Sequence, residues 1–362
     1  MPDRQAAFSG VRAVPEHLAL DADRLDAWMA AHVEGYRGPA ELAQFRGGQS
    51  NPTYLVTARS GRYVLRRKPP GPLLPSAHAI EREYRVQRAL AGAGFPVARV
   101  HALEEDPTIL GTAFYVMDHV AGRVFWEPWM PGSDPGERGA VYDAMNAALA
   151  RLHSLDPAAI GLSDFGRPAG YVARQVRRWS EQYSASAAEP VDAMDRLMDW
   201  LPAHLPPEAP ARVVHGDFRL DNLVVAPAAP QIAAVLDWEL ATLGDPIADF
   251  TYHLMQWHMP AELRGAGTAS LAGRDLAALG IPALADYVAR YEARTGLAVR
   301  AHLGTYLAYN FFRMAAILAG VAARGRAGNA ASAQAALSAG EVRPLAEIAW
   351  QFARGANSVT GS

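Results

Sequence analysis

The sequence has 362 residues, half of them hydrophobic, and its 34 basic residues nearly balance 37 acidic residues to give a formal charge of −3. This balance excludes a general electrostatic attraction to nucleic acid or to an anionic membrane surface, so we expect neither as a partner. The sequence contains no cysteine, which excludes disulfides, thiolate metal sites and cysteine nucleophiles.

The first 120 residues predict a small antiparallel sheet with one helix packed against it. Asp23 precedes an apolar helical pattern and is the expected N-cap of an N-terminal helix. Short β-type runs separated by turn residues follow, with one helical pattern among them. The predicted strands are 42–45, 54–57, 62–66, 97–103 and 114–119, and the predicted helix is 78–91.

Helical patterns dominate after Gly122. They cover 138–153, 171–182, 191–201, 245–259, 282–294 and 302–323. The last contains the most apolar stretch, which Asn310 and Arg313 interrupt, and we therefore predict a buried helix rather than a membrane span. The N-terminus has no apolar run typical of a signal peptide, and we expect a soluble, cytoplasmic protein.

Two short segments carry the chemistry. Residues 213–225 read VVHGDFRLDNLVV, and LDWE follows at 236–239. Together they supply the carboxylates of Asp217 and Asp237 and the amide of Asn222 within turns between β-type apolar runs. Phosphoryl transfer needs a positioned acceptor hydroxyl, metal ions across the phosphates and cations, and these oxygens suit a base and magnesium ligands. Asp, Asn and Gly are also ordinary turn residues, but both segments in this order favour a catalytic site.

The sequence HGDFRLDN followed by LDWE resembles the aminoglycoside-phosphotransferase-like (choline-kinase-like) family, whose motif parallels the HRD-x-x-x-x-N loop of protein kinases. The resemblance implies an α+β, protein-kinase-like bilobal fold. Residues 1–120 would form a nucleotide-binding lobe with a small antiparallel sheet and one helix, and residues 121–362 a larger, mainly helical lobe. It also implies ATP and Mg2+ as cofactors, with Asp217 as the catalytic base and Asn222 and Asp237 as metal ligands.

The first half of the chain supplies candidates for the nucleotide site. The turn at 45–54 would cover the phosphates, with Ser50 and Asn51 as donors. Side chains alternate along a strand, so Arg66 shares a face with Val64, as the ATP-binding lysine of protein kinases does with its small apolar neighbour, whereas Arg67 would point away. Arginine is a departure from that lysine.

A glutamate of the first helical pattern would hold Arg66. Glu83 is the preferred partner and Glu81 the alternative, since two residues two apart on a helix cannot both face inward. The stretch at 114–120 is predicted to be the strand and linker that meet adenine, with Met117 among the contacts and with Asp118 and Val120 contacting the base through their backbone.

Around the catalytic aspartate, His215 is expected to hold the loop by bonding backbone carbonyls rather than act as a second base. Arg219 is a candidate for contacting the transferred phosphate, with a surface ion pair as the alternative. Asp245 is expected to cap a helix that begins at Pro246, and Asp249 to bond the catalytic loop.

The acceptor should be a small molecule with a hydroxyl group. Its binding residues are sought among Trp238, Tyr252, Trp257, His258, Phe311, Phe312 and Arg313. The segments DWELATLGDP and FFRMAAILAGVAARGRAG resemble the kinase-like domains fused to acyl-CoA dehydrogenases, which implies a hydroxylated acyl thioester or a similar acid. Arg313, Arg324 and Arg326 would receive its anionic groups. An antibiotic kinase, a silent nucleotide-binding pseudokinase and, less well supported, a protein kinase are the alternatives.

Overall fold

The computed structural model describes residues 4–47, 51–71, 79–187, 189–263, 270–326 and 332–355. Contacts between Cα atoms divide the chain into two compact units. Unit 1 consists of Met1–Trp126, Ile160–Leu162 and Leu220–Ala241, and unit 2 of Glu127–Ala159, Ser163–Arg219 and Thr242–Ser362. The sequence suggested a single division at residue 120, with the whole catalytic and metal segment in the second part. In the structure the segment from Leu220 to Ala241 groups with unit 1.

Hydrogen bonds explain that grouping. The Val235 amide donates to the Pro96 carbonyl at 2.8 Å, and Arg123 and Val225 exchange two backbone hydrogen bonds, each 2.8 Å long. Gly122 packs so closely on Val225 that a Cβ atom there would lie 2.4 Å from the Val225 carbonyl oxygen. A stretch distant in sequence is thereby fixed to unit 1.

Ten strands occur among the described residues. In chain order they are β1 Val11–Arg12, β2 Glu41–Phe45, β3 Thr53–Ala58, β4 Gly61–Arg67, β5 Val100–Glu104, β6 Phe114–Asp118, β7 Arg212–Val214, β8 Leu223–Val225, β9 Ile232–Val235 and β10 Thr242–Gly244. Unit 1 contains an antiparallel six-stranded sheet of order β1-β2-β3-β4-β6-β5, and β8 pairs separately with β9. In unit 2, β7 pairs with β10. The predicted small antiparallel sheet is therefore present.

The helices in the described part of the chain are α1 Arg4–Phe8, α2 Ala22–His32, α3 Ile80–Gly92, α4 Pro107–Leu110, α5 Pro135–Ser154, α6 Tyr171–Ser186, α7 Asp192–Ala203, α8 Pro246–Leu254, α9 Leu276–Leu279, α10 Leu284–Thr295, α11 Leu303–Arg326 and α12 Ser332–Ala353. The N-cap of α2 is Asp21, whose side chain accepts from the Arg24 amide at 3.0 Å. The prediction of Asp23 as the cap was wrong by two residues, because Asp23 already lies in the first turn.

Helix α11 is the central helix of unit 2. Its side chains are buried nearly all round, including Tyr306, Phe311 and Phe312, and it packs against α6, α8 and α12. It is long and apolar enough to cross a membrane, but 83% of its apolar window is buried inside the protein. The prediction of a buried helix is confirmed.

Candidate active site

The Asp217 loop in unit 2 is fixed by a buried carboxylate. After the buried strand β7, Gly216 adopts φ +83°, a conformation that favours glycine. Asp249, in the first turn of α8, accepts from the His215 amide at 2.7 Å and from the Gly216 amide at 2.8 Å. Asp245 caps the same helix by accepting from the Ile247 amide at 2.8 Å. The roles predicted for Asp245 and Asp249 are confirmed.

Two histidines complete this support. The His153 ring bonds Asp249 Oδ2 through Nε2 at 3.1 Å and the Tyr291 hydroxyl through Nδ1 at 2.6 Å. Burial alone raises the pKa of Asp249, but the bond and charge of His153 and the amide of His215 lower it below its usual range. The ring of His215, fully buried, accepts from the Asp217 amide at 3.2 Å through Nδ1. His215 therefore holds the loop through a backbone amide, whereas we expected carbonyls.

Asp217 directly follows the two residues whose amides Asp249 holds, and 23% of its side chain is exposed. The Tyr252 hydroxyl donates to Asp217 Oδ1 at 2.7 Å, and Arg219 Nε lies 3.4 Å from the same oxygen. Burial, and then the charge of Asp217, raise the pKa of Tyr252, so its hydroxyl stays a neutral donor. Arg219 thus forms the ion pair that we named as the alternative, with the proposed base as its partner; its role at the phosphate stays a prediction.

Arg66 in unit 1 is surrounded by carboxylates. Its Nε lies 2.7 Å from Glu83 Oε2, and its Nη2 lies 2.7 Å from Asp237 Oδ1 and 3.6 Å from Glu239 Oε2. These neighbours raise the pKa of Arg66 against the lowering effect of its burial, so it stays cationic. The fork of the guanidinium lets one side chain bridge two anions, which a lysine could not do in the same way.

The structure distinguishes between the two glutamates. Glu83 is buried and also accepts from Asn51 Nδ2 at 2.9 Å and from the Tyr115 hydroxyl at 3.2 Å. Glu81 instead forms an ion pair of 3.0 Å with Lys68. Asn51 therefore lies beside the Arg66–Glu83 pair, whereas Ser50 lies outside the described residues.

The two predicted metal ligands lie at one end of the β8–β9 ladder. Leu223 pairs with Val235, and the next residue outward, Leu236, donates its amide to the Asn222 carbonyl at 2.8 Å. Asp237 follows in the left-handed region, with φ 62° and ψ 68°, which is uncommon for a residue other than glycine. Strained backbone conformations of this kind occur often at residues whose side chain must be held in one position.

The donor set fits magnesium. Carboxylate and amide oxygens are the protein ligands that Mg2+ accepts, and it is usually bound by few of them together with phosphate oxygens. Glu239 adds a further carboxylate two residues after Asp237, close to Arg66. The sequence analysis assigned no role to Glu239. The sequence feature that could have indicated one is the glutamate at the end of LDWE, two residues after the predicted metal ligand.

The residues predicted for adenine form an apolar surface in unit 1. Val64 and Met117 are buried register partners on β4 and β6, and Val120 and Phe45 pack in the same cluster. The side chain of Asp118 bonds His101 at 2.7 Å, which is consistent with the expectation that only its backbone would meet a base.

Unit 1 thus brings together Asn51, Arg66, Glu83, Asp237 and Glu239, with Asn222 fixed to the same hairpin end. Unit 2 brings together Asp217, Arg219 and Tyr252, with Asp249 behind them. The loop that carries Asp217 continues into Asn222 five residues later.

Comparisons with known proteins agree on a family. The model of the phosphotransferase enzyme family, APH, matches residues 41–302. Acyl-CoA dehydrogenase family member 10 of Mus musculus is 44% identical over 346 residues, which cover 94% of this chain and 32% of that protein. Acyl-CoA dehydrogenase family member 11 of Homo sapiens is 39% identical, covering 94% of this chain and 44% of its own length. The chain spans less than half the length of these curated relatives.

Solved structures give the same fold. A crystal structure from Ralstonia eutropha JMP134, provisionally described as an aminoglycoside phosphotransferase, has a TM-score of 0.84 at 48% identity and covers 93% of this chain and 99% of that one. Aminoglycoside phosphotransferase APH(4)-Ia has a TM-score of 0.58 at 17% identity, covering 90% of this chain and 98% of its own, and indicates the fold alone. The predicted α+β, protein-kinase-like fold is confirmed.

Proposed function

We propose that this chain, which belongs to the phosphotransferase enzyme family, transfers the terminal phosphate of ATP to a hydroxyl group of a small molecule. The observation that carries the proposal is that Asn222 and Asp237, two residues with oxygen-bearing side chains, lie at one end of a hairpin whose Asp237 bonds the Arg66 of the Arg66–Glu83 ion pair. Cations and metal ligands at one point suit a triphosphate, and little covalent chemistry is needed from the protein.

In this proposal Asp217 orients the acceptor hydroxyl and receives its proton. The acceptor oxygen forms a bond to the terminal phosphorus while the bond from that phosphorus to the ADP oxygen breaks. Tyr252 keeps the Asp217 carboxylate in place, and Arg66 contacts the phosphates. Asn222 and Asp237 would hold Mg2+, which neutralises charge on the phosphate oxygens when it is bound.

For the acceptor, we propose a hydroxylated acyl compound, either a thioester or the related acid. The support is the 44% identity to acyl-CoA dehydrogenase family member 10 over nearly the whole chain. An aminoglycoside is the second candidate, because the Ralstonia eutropha protein at 48% identity is provisionally described that way. The cytoplasmic location expected from the sequence stays a prediction.

The test is ADP release with a panel of hydroxyacyl-CoAs, hydroxy acids and aminoglycosides. Wild-type protein should release ADP with an acyl acceptor, and Asp217→Asn should reduce the rate by about 10²–10⁴-fold while Mg-ATP binding persists. Asp286→Asn, an exposed aspartate in the first turn of α10, serves as the matched control and should keep the wild-type rate. Binding of Mg-ATP without turnover of any acceptor would favour a regulatory pseudokinase instead.

A further inference from the structure

Arg313 is a buried cation in the middle of the apolar helix α11. Its neighbours Phe312 and Met314 are also buried, and 9% of Arg313 is exposed. A charged group at such a position is costly unless a counter-ion or several hydrogen bonds compensate it. The partners of Arg313 therefore indicate whether it is a structural group or a binding group.

The protein itself provides little compensation. Arg313 Nη2 donates to the Gly216 carbonyl at 3.3 Å, and its guanidinium lies 5.2 Å from the ring centre of Tyr252. Within the part of the chain that the structure describes, no carboxylate forms an ion pair with Arg313, and its buried Nε has no hydrogen-bond partner. A guanidinium has five N–H donors, and the described protein groups accept from Nη2 but not from the buried Nε.

A second unused donor lies one turn earlier on the same face of α11. The Tyr309 hydroxyl is buried, and among the described residues it has no partner. Burial alone lowers the pKa of Arg313, but the nearby groups of Tyr309, Tyr171 and Tyr252 and the carboxylate of Asp217 raise it above its ordinary value. The guanidinium therefore stays charged, with the Tyr309 hydroxyl close to it.

Arg313 connects to the loop that carries the proposed base. Gly216, which accepts from Arg313, directly precedes Asp217, and Tyr252, whose ring faces Arg313, donates to Asp217 Oδ1. A molecule whose hydroxyl reached Asp217 would therefore lie near the guanidinium of Arg313, and the Tyr309 hydroxyl is a neighbour of that guanidinium. Such donors favour an oxygen that carries negative charge or a strong dipole.

We propose that Arg313 and Tyr309 are specificity-determining residues that donate hydrogen bonds to an acyl oxygen of the acceptor while its hydroxyl lies at Asp217. This inference rests on the proposed function. The recognised chemistry is a carboxylate or a thioester carbonyl near the reacting hydroxyl. A diol or an amino sugar offers at most a hydroxyl oxygen at this place, which is a weaker acceptor for a guanidinium, and this costs binding.

The experiment compares kcat/KM for matched acceptors that differ in the acyl oxygen. For chains of four to ten carbons, each hydroxy acid and its CoA thioester is paired with the corresponding diol. The wild-type protein should prefer at least one acyl form over its diol by about tenfold or more. If the acid alone is preferred, the recognised oxygen is a carboxylate, and if the thioester alone is preferred, it is a carbonyl.

Tyr309→Phe is the decisive variant. Because its hydroxyl has no partner in the protein, the thermal midpoint should stay unchanged, while the preference for acyl over diol acceptors falls by about tenfold through KM. Tyr142→Phe is the matched control: its buried hydroxyl donates to the Pro128 carbonyl at 2.8 Å, so the midpoint should fall and the preference should stay.

Arg313→Met should remove the preference entirely, and Arg313→Lys should retain part of it; if Arg313→Met does not fold, Tyr309→Phe decides. An equal loss for acyl and diol acceptors in Tyr309→Phe would overturn the inference, because it would mean a positioning role. No preference in the wild-type protein, or turnover of an aminoglycoside without turnover of any acyl acceptor, would overturn it as well. Failure to bind Mg-ATP, or Mg-ATP binding without turnover of any acceptor, would instead reject the proposed function.

Discussion

Replacing Arg66 with methionine leaves Glu83 buried without its cation. The side chain of Glu83 is 1% exposed, and Arg66 Nε lies 2.7 Å from its Oε2. Breaking a buried ion pair by removing one partner typically costs about 3–5 kcal/mol. The hydrogen bonds from Asn51 and Tyr115 remain, so the expected response of Glu83 is to take up a proton.

That response limits the loss of stability. The ordinary pKa of Glu83 is 4.5, and protonating such a group at pH 7 costs about 3.4 kcal/mol. Burial already raises the pKa of Glu83 in the wild-type protein, although the charge of Arg66 opposes this, so we expect Arg66→Met to lower the free energy of unfolding by up to about 3 kcal/mol at pH 7. The variant raises the pKa of folded Glu83 further, so the loss of stability is present above pH 4.5 and becomes smaller as the pH falls towards 4.5. At pH 5 it should be below about 1 kcal/mol.

The assay is urea unfolding of wild type and variant at pH 7 and at pH 5, compared as differences so that other titrating groups cancel. The double variant Arg66→Met with Glu83→Gln should recover most of the stability at pH 7, because no charge is then left buried. Asp237 and Glu239 also lose their partner in Arg66→Met, but each is 26% exposed and stays partly hydrated, so they should add little to the loss of stability. An equal loss at both pH values, or a double variant no more stable than Arg66→Met, would refute this reasoning.

Two further predictions concern the supports of unit 2. Asp249→Asn replaces one of the two oxygens that accept backbone amides, so we expect about 2–3 kcal/mol lower stability in urea unfolding, and a lower kcat with little change in the KM for ATP. Burial lowers the pKa of His253 to about 3, so below pH 6.5 the unfolded chain takes up a proton that the folded protein excludes. Because of this proton, the free energy of unfolding should fall by about 2 kcal/mol between pH 7 and pH 5. His253→Gln should flatten the dependence of the thermal midpoint on pH over that range, and an unchanged slope would count against it.

Much of the site could be predicted from the sequence because its parts are local. Apolar β-type runs on both sides of HGDFRLDN predicted a turn with exposed polar groups, and alternation along one strand selected Arg66 over Arg67. The choice between Glu81 and Glu83 stayed open because both occupy the first turn of one helix. It was decided by Lys68, which is paired with Glu81 across space.

Other features depend on tertiary contacts and were not predicted. The left-handed backbone at Asp237 has no signature of its own, since nothing in LDWE requires a positive φ. Helix α12 was missed because its sequence is rich in small residues and contains Pro344, whereas packing of Leu345, Ala349 and Phe352 in the core stabilises it. Hydrogen bonds to Pro96 and Arg123 group the β8–β9 hairpin with unit 1.

The central claim is that Asp237 and Asn222 hold the metal that accompanies the triphosphate. Titration calorimetry of ATP into the protein, with and without Mg2+, tests it most directly. Wild-type protein should bind ATP tightly only with Mg2+, Asp237→Ala should lose that dependence, and Asp106→Asn, an exposed helix cap in the same unit, should behave as wild type. Mg2+-dependent affinity that is undiminished in Asp237→Ala would contradict the account.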